Sequence, residues 1–305
     1  MAEQSDRADP RDGGAGRLPR VALCTMVRNE APYLLEWFAF HELNGVSLFR
    51  VYDDNSSDGT AAVLEQLANW FPIERVLWTQ QQGPGRQAAA FQHGANALRD
   101  RADWVGFIDS DEFLFDGALR PLPTALAEFG PDVSAIAVNQ RVFGSSFHEI
   151  ASYEPVTQRF TRRAPDDYPE HTWIKTVARP QAVASFHTQH AVRLYSGRYV
   201  LGDGTPFESA GGHPGHGTRI AARGLRLHHY MLKSLEEFRR KQNRGAVSDG
   251  PAGGYRRFTD DYFTGRALAT NVVEDRTLQA LSAQLNERMF EAMNAGSGAV
   301  GVDMG

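Results

Sequence analysis

Cysteine is almost missing from this chain, with Cys24 the one residue of its kind. No intramolecular disulfide is possible, and a reducing compartment is the simpler setting. Long apolar runs are missing too: no stretch approaches the roughly 18 residues of a membrane-spanning helix, so no integral membrane anchor is expected. Positive charge is in the minority, with 32 Lys and Arg against 37 Asp and Glu and a net charge of -5. That balance offers no general attraction to nucleic acid or anionic lipid. The opening "MAEQSDRADPRDGGAGRLPR" lacks the apolar core of a signal peptide and is too acidic for a transit peptide. It reads as a disordered tail, as does "NAGSGAVGVDMG" at the far end. The expectation is a cytoplasmic protein, at most peripheral at a membrane, and 305 residues suffice for a sizeable core.

What is present is an alternation of apolar strands and helices. "RVALCTMV", "VSLFRVYDD", "IERVLWTQ" and "WVGFID" read as strands. "EAPYLLEWFAFHELNG", "TAAVLEQLANWF" and "GRQAAAFQHGANALRD" read as the helices between them. Such alternation predicts an α/β fold, a mostly parallel central sheet with helices on both faces. Ligands of open sheets of this kind bind at the carboxyl ends of the strands. The polar motifs "RNE", "DDNSSDGT" and "DSDE" fall at those ends. The second half is less regular: "VSAIAVNQRVFGSS", "TQRFTRR" and "WIKTVARP" read as strands and loops, and "GLRLHHYMLKS" as a strand running into the helical "SLEEFRRKQNRG".

"WVGFIDSDEFLF" sets three acids, Asp109, Asp111 and Glu112, inside an apolar stretch. Carboxylates are rarely buried unless paired or holding a metal. Alternation along a strand turns Asp109 and Asp111 to one side, where a divalent cation would relieve their repulsion. The alternative is a polar turn in which Asp111 or Glu112 caps a helix. "DDNSSDGTAAVLE" has the ligand spacing of a calcium-binding EF-hand loop, but it follows a strand and already has helical periodicity from Thr60. Ser57 or Asp58 is better placed as a helix cap.

"MVRNEAPYLLEWFAFHELNGVSLFRVYDDNSSDGT" resembles the opening of glycosyltransferase family 92, which is close to the larger family 2. "WVGFIDSDEFLF" looks like its metal motif, "VFGSS" its central strand turn and "HYMLKSLEEFRRK" its closing segment, in the same order over Arg20 to Arg244. The resemblance implies a GT-A-type single domain, a UDP-linked hexose donor (galactose in known members), a glycan or other hydroxyl acceptor, inversion, and Mn2+ or Mg2+. The expected division is a tail over 1–19, a transferase domain over 20–244 (donor half 20–115, acceptor half 116–244), a helical extension over 245–290 and a tail over 291–305.

A nucleotide-sugar leaves as a diphosphate, whose charge a divalent Lewis acid stabilises. Asp109 and Asp111 are the expected metal pair, with Asp109 alternatively reaching the ion through water or contacting ribose; Ser110 between them goes with the donor. Glu112 orients the pair or the acceptor. The resemblance implies His229 as third ligand, against the alternative of a strand histidine with a satisfied hydrogen bond; His228 then faces the other side. Thr25, Asn29 and Glu30 are assigned to ribose or base, and Asp53 or Asp54 to the uracil imide. Asn29 and Glu30 also suit a helix start. Arg86 and Gln87 adjoin a glycine-rich turn before a helix. Lys175 matches a family lysine and is assigned to the diphosphate. Glu149, after the "FGSS" turn, is the expected general base, and His148 matches a family position near the acceptor. "HTQH" (187–190) and "HPGH" (213–216) lack zinc spacing and read as solvated loops. A haloacid-dehalogenase-type phosphatase fits poorly, because Phe113 fills the slot where threonine or valine belongs. A sugar nucleotidyltransferase lacks its glycine-rich loop here. A non-catalytic sugar-nucleotide-binding protein stays open as an alternative.

Overall fold

The computed structural model describes residues 17–80, 85–244 and 259–294. Its first part alternates β1 (Val21–Val27), α1 (Leu34–Leu43), β2 (Val46–Asp53), α2 (Thr60–Leu67), β3 (Ile73–Leu77), α3 (Arg86–Ala97) and β4 (Trp104–Phe107). Then come β5 (Glu112–Asp116), α4 (Leu122–Leu126), β6 (Val133–Val142), α5 (Val156–Arg159), β7 (Arg162–Arg163), β8 (Ile174–Ala178), β9 (Val183–Phe186), β10 (Val192–Leu194), β11 (Arg198–Leu201) and β12 (Leu225–His229). The chain closes with α6 (Leu235–Arg244), α7 (Asp260–Thr270), β13 (Val273–Glu274) and α8 (Ser282–Asn294). Nine strands form one sheet in the order β3-β2-β1-β4-β8-β6-β12-β5, with β11 beside the first half of β6. Five of its eight pairings are parallel and three antiparallel. This is the mostly parallel α/β architecture expected.

The continuous apolar run of β1 follows from burial on both faces. Val21, Leu23 and Val27 pack with Leu34, Trp37 and Phe38 of α1, whereas Ala22, Cys24 and Met26 pack with Ala90, Phe91 and Ala95 of α3. Gly94 permits the second contact: a Cβ there would come to 2.6 Å from Cys24 Sγ. The lone cysteine is thus a buried packing residue.

Two devices fix the elements that carry the functional motifs. β12 pairs antiparallel with β5 so that His229 lies opposite Glu112, and the Tyr230 amide donates to the Asp111 carbonyl at 2.9 Å. Trp37 Nε1 donates to the Glu112 carbonyl at 2.9 Å, tying β5 to α1. The second device is a capping box at the start of α6. The Ser234 amide donates to Glu237 Oε2 at 3.0 Å and the Glu237 amide to Ser234 Oγ at 3.2 Å. Arg159 of α5 then grips Glu237 with both terminal nitrogens, at 3.1 and 2.9 Å. The start of α5 is held in turn by Glu36 of α1, which accepts from the Val156 and Thr157 amides at 2.6 and 2.8 Å.

Two local expectations are corrected. Part of "TQRFTRR" forms α5, because Glu36 supplies from a distance the cap its own sequence lacks. α8 runs to Asn294, into the stretch assigned to the tail, because Ala292 is buried in the core. Residues 1–16, 245–258 and 295–305, which hold most of the expected tails and the start of the extension, lie outside the described residues.

Burial raises the Glu237 carboxyl, but Arg159 and Ser234 outweigh it and hold the group down at about 2. Its folded value lies below the unfolded one, so its stabilisation is complete above the ordinary value of 4.5 and is lost as pH falls toward 2. Glu237→Gln retains the capping geometry but leaves Arg159 unpaired, and is expected to cost about 3–5 kcal/mol at pH 7. Urea unfolding should show that difference narrowing at pH 3; a variant as stable as wild type at pH 7 contradicts the assignment.

Candidate active site

Asp109 and Asp111 lie in the link between β4 and β5, past the end of the fourth strand as expected, and Glu112 opens β5. The Asp109 amide donates to Glu112 Oε2 at 2.8 Å and the Glu112 amide to the Asp109 carbonyl at 3.1 Å. This turn replaces strand alternation, so the two aspartates are splayed rather than convergent. Asp109 accepts from Gln87 Nε2 of α3 at 2.6 Å and meets Lys175 Nζ of β8 at 2.8 Å. Asp111 faces His229 Nε2 at 3.5 Å and Lys241 Nζ of α6 at 2.8 Å. Ser110 between them is buried.

Lys175 is 1% exposed and lies 3.5 Å from Glu112 as well. Burial opposes its charge, yet Asp109 and Glu112 outweigh burial and raise its pKa. Asp109 feels the same competition in reverse: burial raises its carboxyl and Lys175 brings it below the usual range. Asp111, likewise penalised by burial, is held well below that range by Lys241 and His229. Glu112 goes the other way, pushed to about 7 by burial, with Lys175 opposing. The charge that Lys175 balances is therefore carboxylate within the protein. Its burial keeps it from the diphosphate role assigned from the sequence.

His229 Nδ1 lies 2.8 Å from Gln140 Oε1 of β6. That contact orients the ring so that its Nε2 faces Asp111. His228 is buried on the opposite side against Phe115 and Phe143, as expected. Among the described residues, no three His, Cys, Asp or Glu side chains gather into a metal cage. The expected trio is divided, with Asp111 beside His229 and Asp109 drawn off by Gln87 and Lys175.

The β1 and β2 ends carry most of the other residues that the sequence assigned to the donor. Asn29 adopts a left-handed φ of 54° and accepts the Ser57 amide at 2.7 Å. The Glu30 amide donates to Thr60 Oγ1 at 2.8 Å, and Asp58 Oδ1 accepts the Thr60 amide at 2.8 Å at the start of α2. The turn therefore runs into a helix and not a calcium loop. Asp53 is taken by Arg75 at 2.7 Å, and Asp54 by Arg86 at 2.9 Å and Arg28 at 3.5 Å. Burial and the Asp53 charge raise the Asp54 carboxyl against those arginines. Thr25 is fully buried within β1.

A cavity of about 220 Å³ opens beside these ends, lined by Asn29, Asp58, Met231, Lys233 and Lys241. It shares Tyr33, Glu237 and Arg240 with a cavity of about 600 Å³ that continues past Tyr153 and Met293. A cavity of about 630 Å³ lies at the other end of the sheet, beside Asp116, Val133 and Leu225. On the loop after β6, Ser146 and Phe147 have φ of 46° and 65°, held by Asn271, which accepts the Ser146 amide at 2.8 Å. His148 bonds the Arg159 carbonyl at 3.1 Å, and Glu149 is exposed. The "HTQH" and "HPGH" histidines are not simply solvated: His190, His213 and His216 close around Trp173, with ring centroids 5.1, 4.7 and 5.2 Å away.

Sequence reasoning passed over Lys241 and Gln140. Lys241 had a usable signal, because it lies four residues beyond Glu237 on the same face of a capped helix. Gln140 had none, since its contact with His229 depends on the β6–β12 register.

Fold and site together define an α/β protein with a lysine-neutralised acidic cleft at the carboxyl ends of its strands. The chain belongs to glycosyltransferase family 92, whose model matches residues 20–206. It is 34% identical over 209 residues to a glycosyltransferase family 92 protein of Ricinus communis, covering 64% of this chain and 36% of that one. A family 92 protein of Oryza sativa subsp. japonica is 32% identical over 193 residues, covering 60% and 32%. The chain thus spans about a third of these relatives' length. A structure of S. aureus TarS 1–349 in complex with UDP overlaps 53% of this chain and 47% of that one, at 13% identity and a TM-score of 0.37, too low to inform the site.

Lys175→Met would strand two buried carboxylates and is expected to destabilise the fold by about 3–5 kcal/mol. Adding Asp109→Asn and Glu112→Gln should recover part of that loss. Denaturant melts of the single and triple variants check this; equal losses in both would show that Lys175 acts through packing alone.

Proposed function

We propose that this chain transfers a hexose from a UDP-linked donor to a hydroxyl acceptor, a glycan or a related alcohol, with inversion and with Mn2+ or Mg2+. The observation that carries this is Asp111, a buried carboxylate at the strand ends with His229 Nε2 3.5 Å from it, in a family 92 chain. The donor set fits such a cation. Nucleotide-bound magnesium is generally held by one or two carboxylates plus phosphate oxygens, without an all-protein cage. Asp111 and His229 would hold the ion, with Asp109 reaching it through water or contacting the ribose. When bound, the ion supplies Lewis-acid neutralisation of the departing diphosphate.

The chain's own residues do the rest. Asn29 and the ends of β1 and β2 receive the nucleoside, with Asp53 or Asp54 accepting from uracil once its arginine yields. Gln87 and Lys175 fix Asp109, and Glu112, with no exposed surface, braces the turn through the Asp109 amide. Phe147 and Glu149 lie on the acceptor side. The left-handed backbone at Phe147 is the sort of strain that functional loops retain. Glu149 is assigned to remove the acceptor proton.

Asp111→Asn should reduce donor turnover by about a hundredfold or more, the scale of losing a main electrostatic stabiliser. The wild type should release free UDP, not pyrophosphate, and stop on chelation; full activity in excess chelator would overturn the proposal. Glu149→Gln should slow transfer by roughly 10²- to 10⁴-fold with UDP affinity unchanged, and a normal rate would remove Glu149 from the mechanism.

A further inference from the structure

Lys241 Nζ lies 2.8 Å from Asp111 Oδ2 and also donates to the Met231 carbonyl at 3.3 Å. Its helix, α6, is fixed at its start by the Ser234–Glu237 box and the buried Arg159. Unlike Lys175, whose side chain is 2% exposed, Lys241 keeps 24% of its side chain open to solvent. It lines the cavity of about 220 Å³ that Asn29 and Asp58 border. Lys233 lines the same cavity, its ammonium 4.0 Å from the Tyr33 ring centroid. Lys241 thus touches both the cavity beside Asn29 and Asp58 and the Asp111 carboxylate, so a diphosphate joining a nucleoside at the β1 and β2 ends to a cation on Asp111 comes within its reach.

Charge decides what Lys241 does there. Asp109 and Glu112 have Lys175 behind them, whereas Asp111 has Lys241 in the cleft itself. A divalent cation arriving on Asp111 repels an ammonium held against the same carboxylate. The diphosphate that comes with it brings at least two negative charges into reach of that ammonium. Resting on the donor reading above, we propose that Lys241 is a diphosphate-binding residue that occupies Asp111 as its counter-ion until cation and nucleotide arrive, and then moves from carboxylate to phosphate.

The proposal has a signature of opposite signs. In Lys241→Gln, Mn2+ alone should bind roughly three- to tenfold more tightly, since a competing cation is gone. UDP in saturating Mn2+ should bind roughly 10- to 100-fold more weakly, the scale of one charge-assisted hydrogen bond. Uridine, which has no phosphate, should bind as to wild type by ligand-observed NMR, and Lys241→Arg should keep UDP affinity within a few-fold. Unchanged UDP affinity in Lys241→Gln overturns the inference. So does a parallel loss of Mn2+, UDP and uridine binding, which would mark Lys241 as a purely structural tie. If wild type binds no UDP in the presence of Mn2+, the donor reading itself fails.

Discussion

One buried ammonium makes the acidic centre possible. Lys175, on β8 near the middle of the sheet, lies within 2.8 Å of Asp109 and 3.5 Å of Glu112, where water cannot screen the carboxylates. Without that charge, Asp109 and Glu112 would both face a desolvation penalty of several kcal/mol per ion. With it, Asp109 stays ionised, and Glu112 serves as the brace of the turn. The turn in turn aims Asp111 away from Asp109 and toward β12 and α6. The two lysines differ in exposure: Lys175 is buried against Asp109 and Glu112, whereas Lys241 pairs with Asp111 and keeps part of its side chain in solvent.

Residues far apart in sequence meet because strand register and helix capping bring them together. The β5–β12 pairing sets His229 against Glu112, and β6 supplies Gln140 to orient the imidazole. Glu36 caps α5, Arg159 of α5 locks Glu237, and Glu237 sets the start of α6, so α1 reaches Lys241 through a chain of buried polar contacts. Such fully satisfied networks rigidify what they join. The left-handed turn at Ser146 and Phe147 leads to the same start of α6, where the Leu235 and Glu236 amides bond the His148 and Glu149 carbonyls.

Much of this was legible in the sequence. The strand–helix alternation up to Phe107 follows from periodicity, and Asp109, Asp111, Lys175 and His229 do come into one neighbourhood. The opposite facing of His228 and His229 follows from strand geometry alone. Less legible was everything set by long-range partners. The splaying of Asp109 and Asp111 depends on a turn closed by Glu112, whereas strand alternation alone turns them to one side. The burial of Lys175 depends on β8 lying between β4 and β6, and α5 exists because Glu36 caps it from another element. Local propensity carries no record of such contacts, and the three histidines around Trp173 were read as separate loops for the same reason.

The central claim is that Asp111 and His229 are the seat of a divalent cation which a UDP-linked donor shares. Anomalous diffraction at the manganese edge, from crystals grown with UDP and Mn2+, tests it most directly. The account predicts a manganese peak between the Asp111 carboxylate and His229 Nε2, with the nucleotide running from it toward the ends of β1 and β2. Manganese bound elsewhere, or UDP bound with no ion beside Asp111, would contradict it.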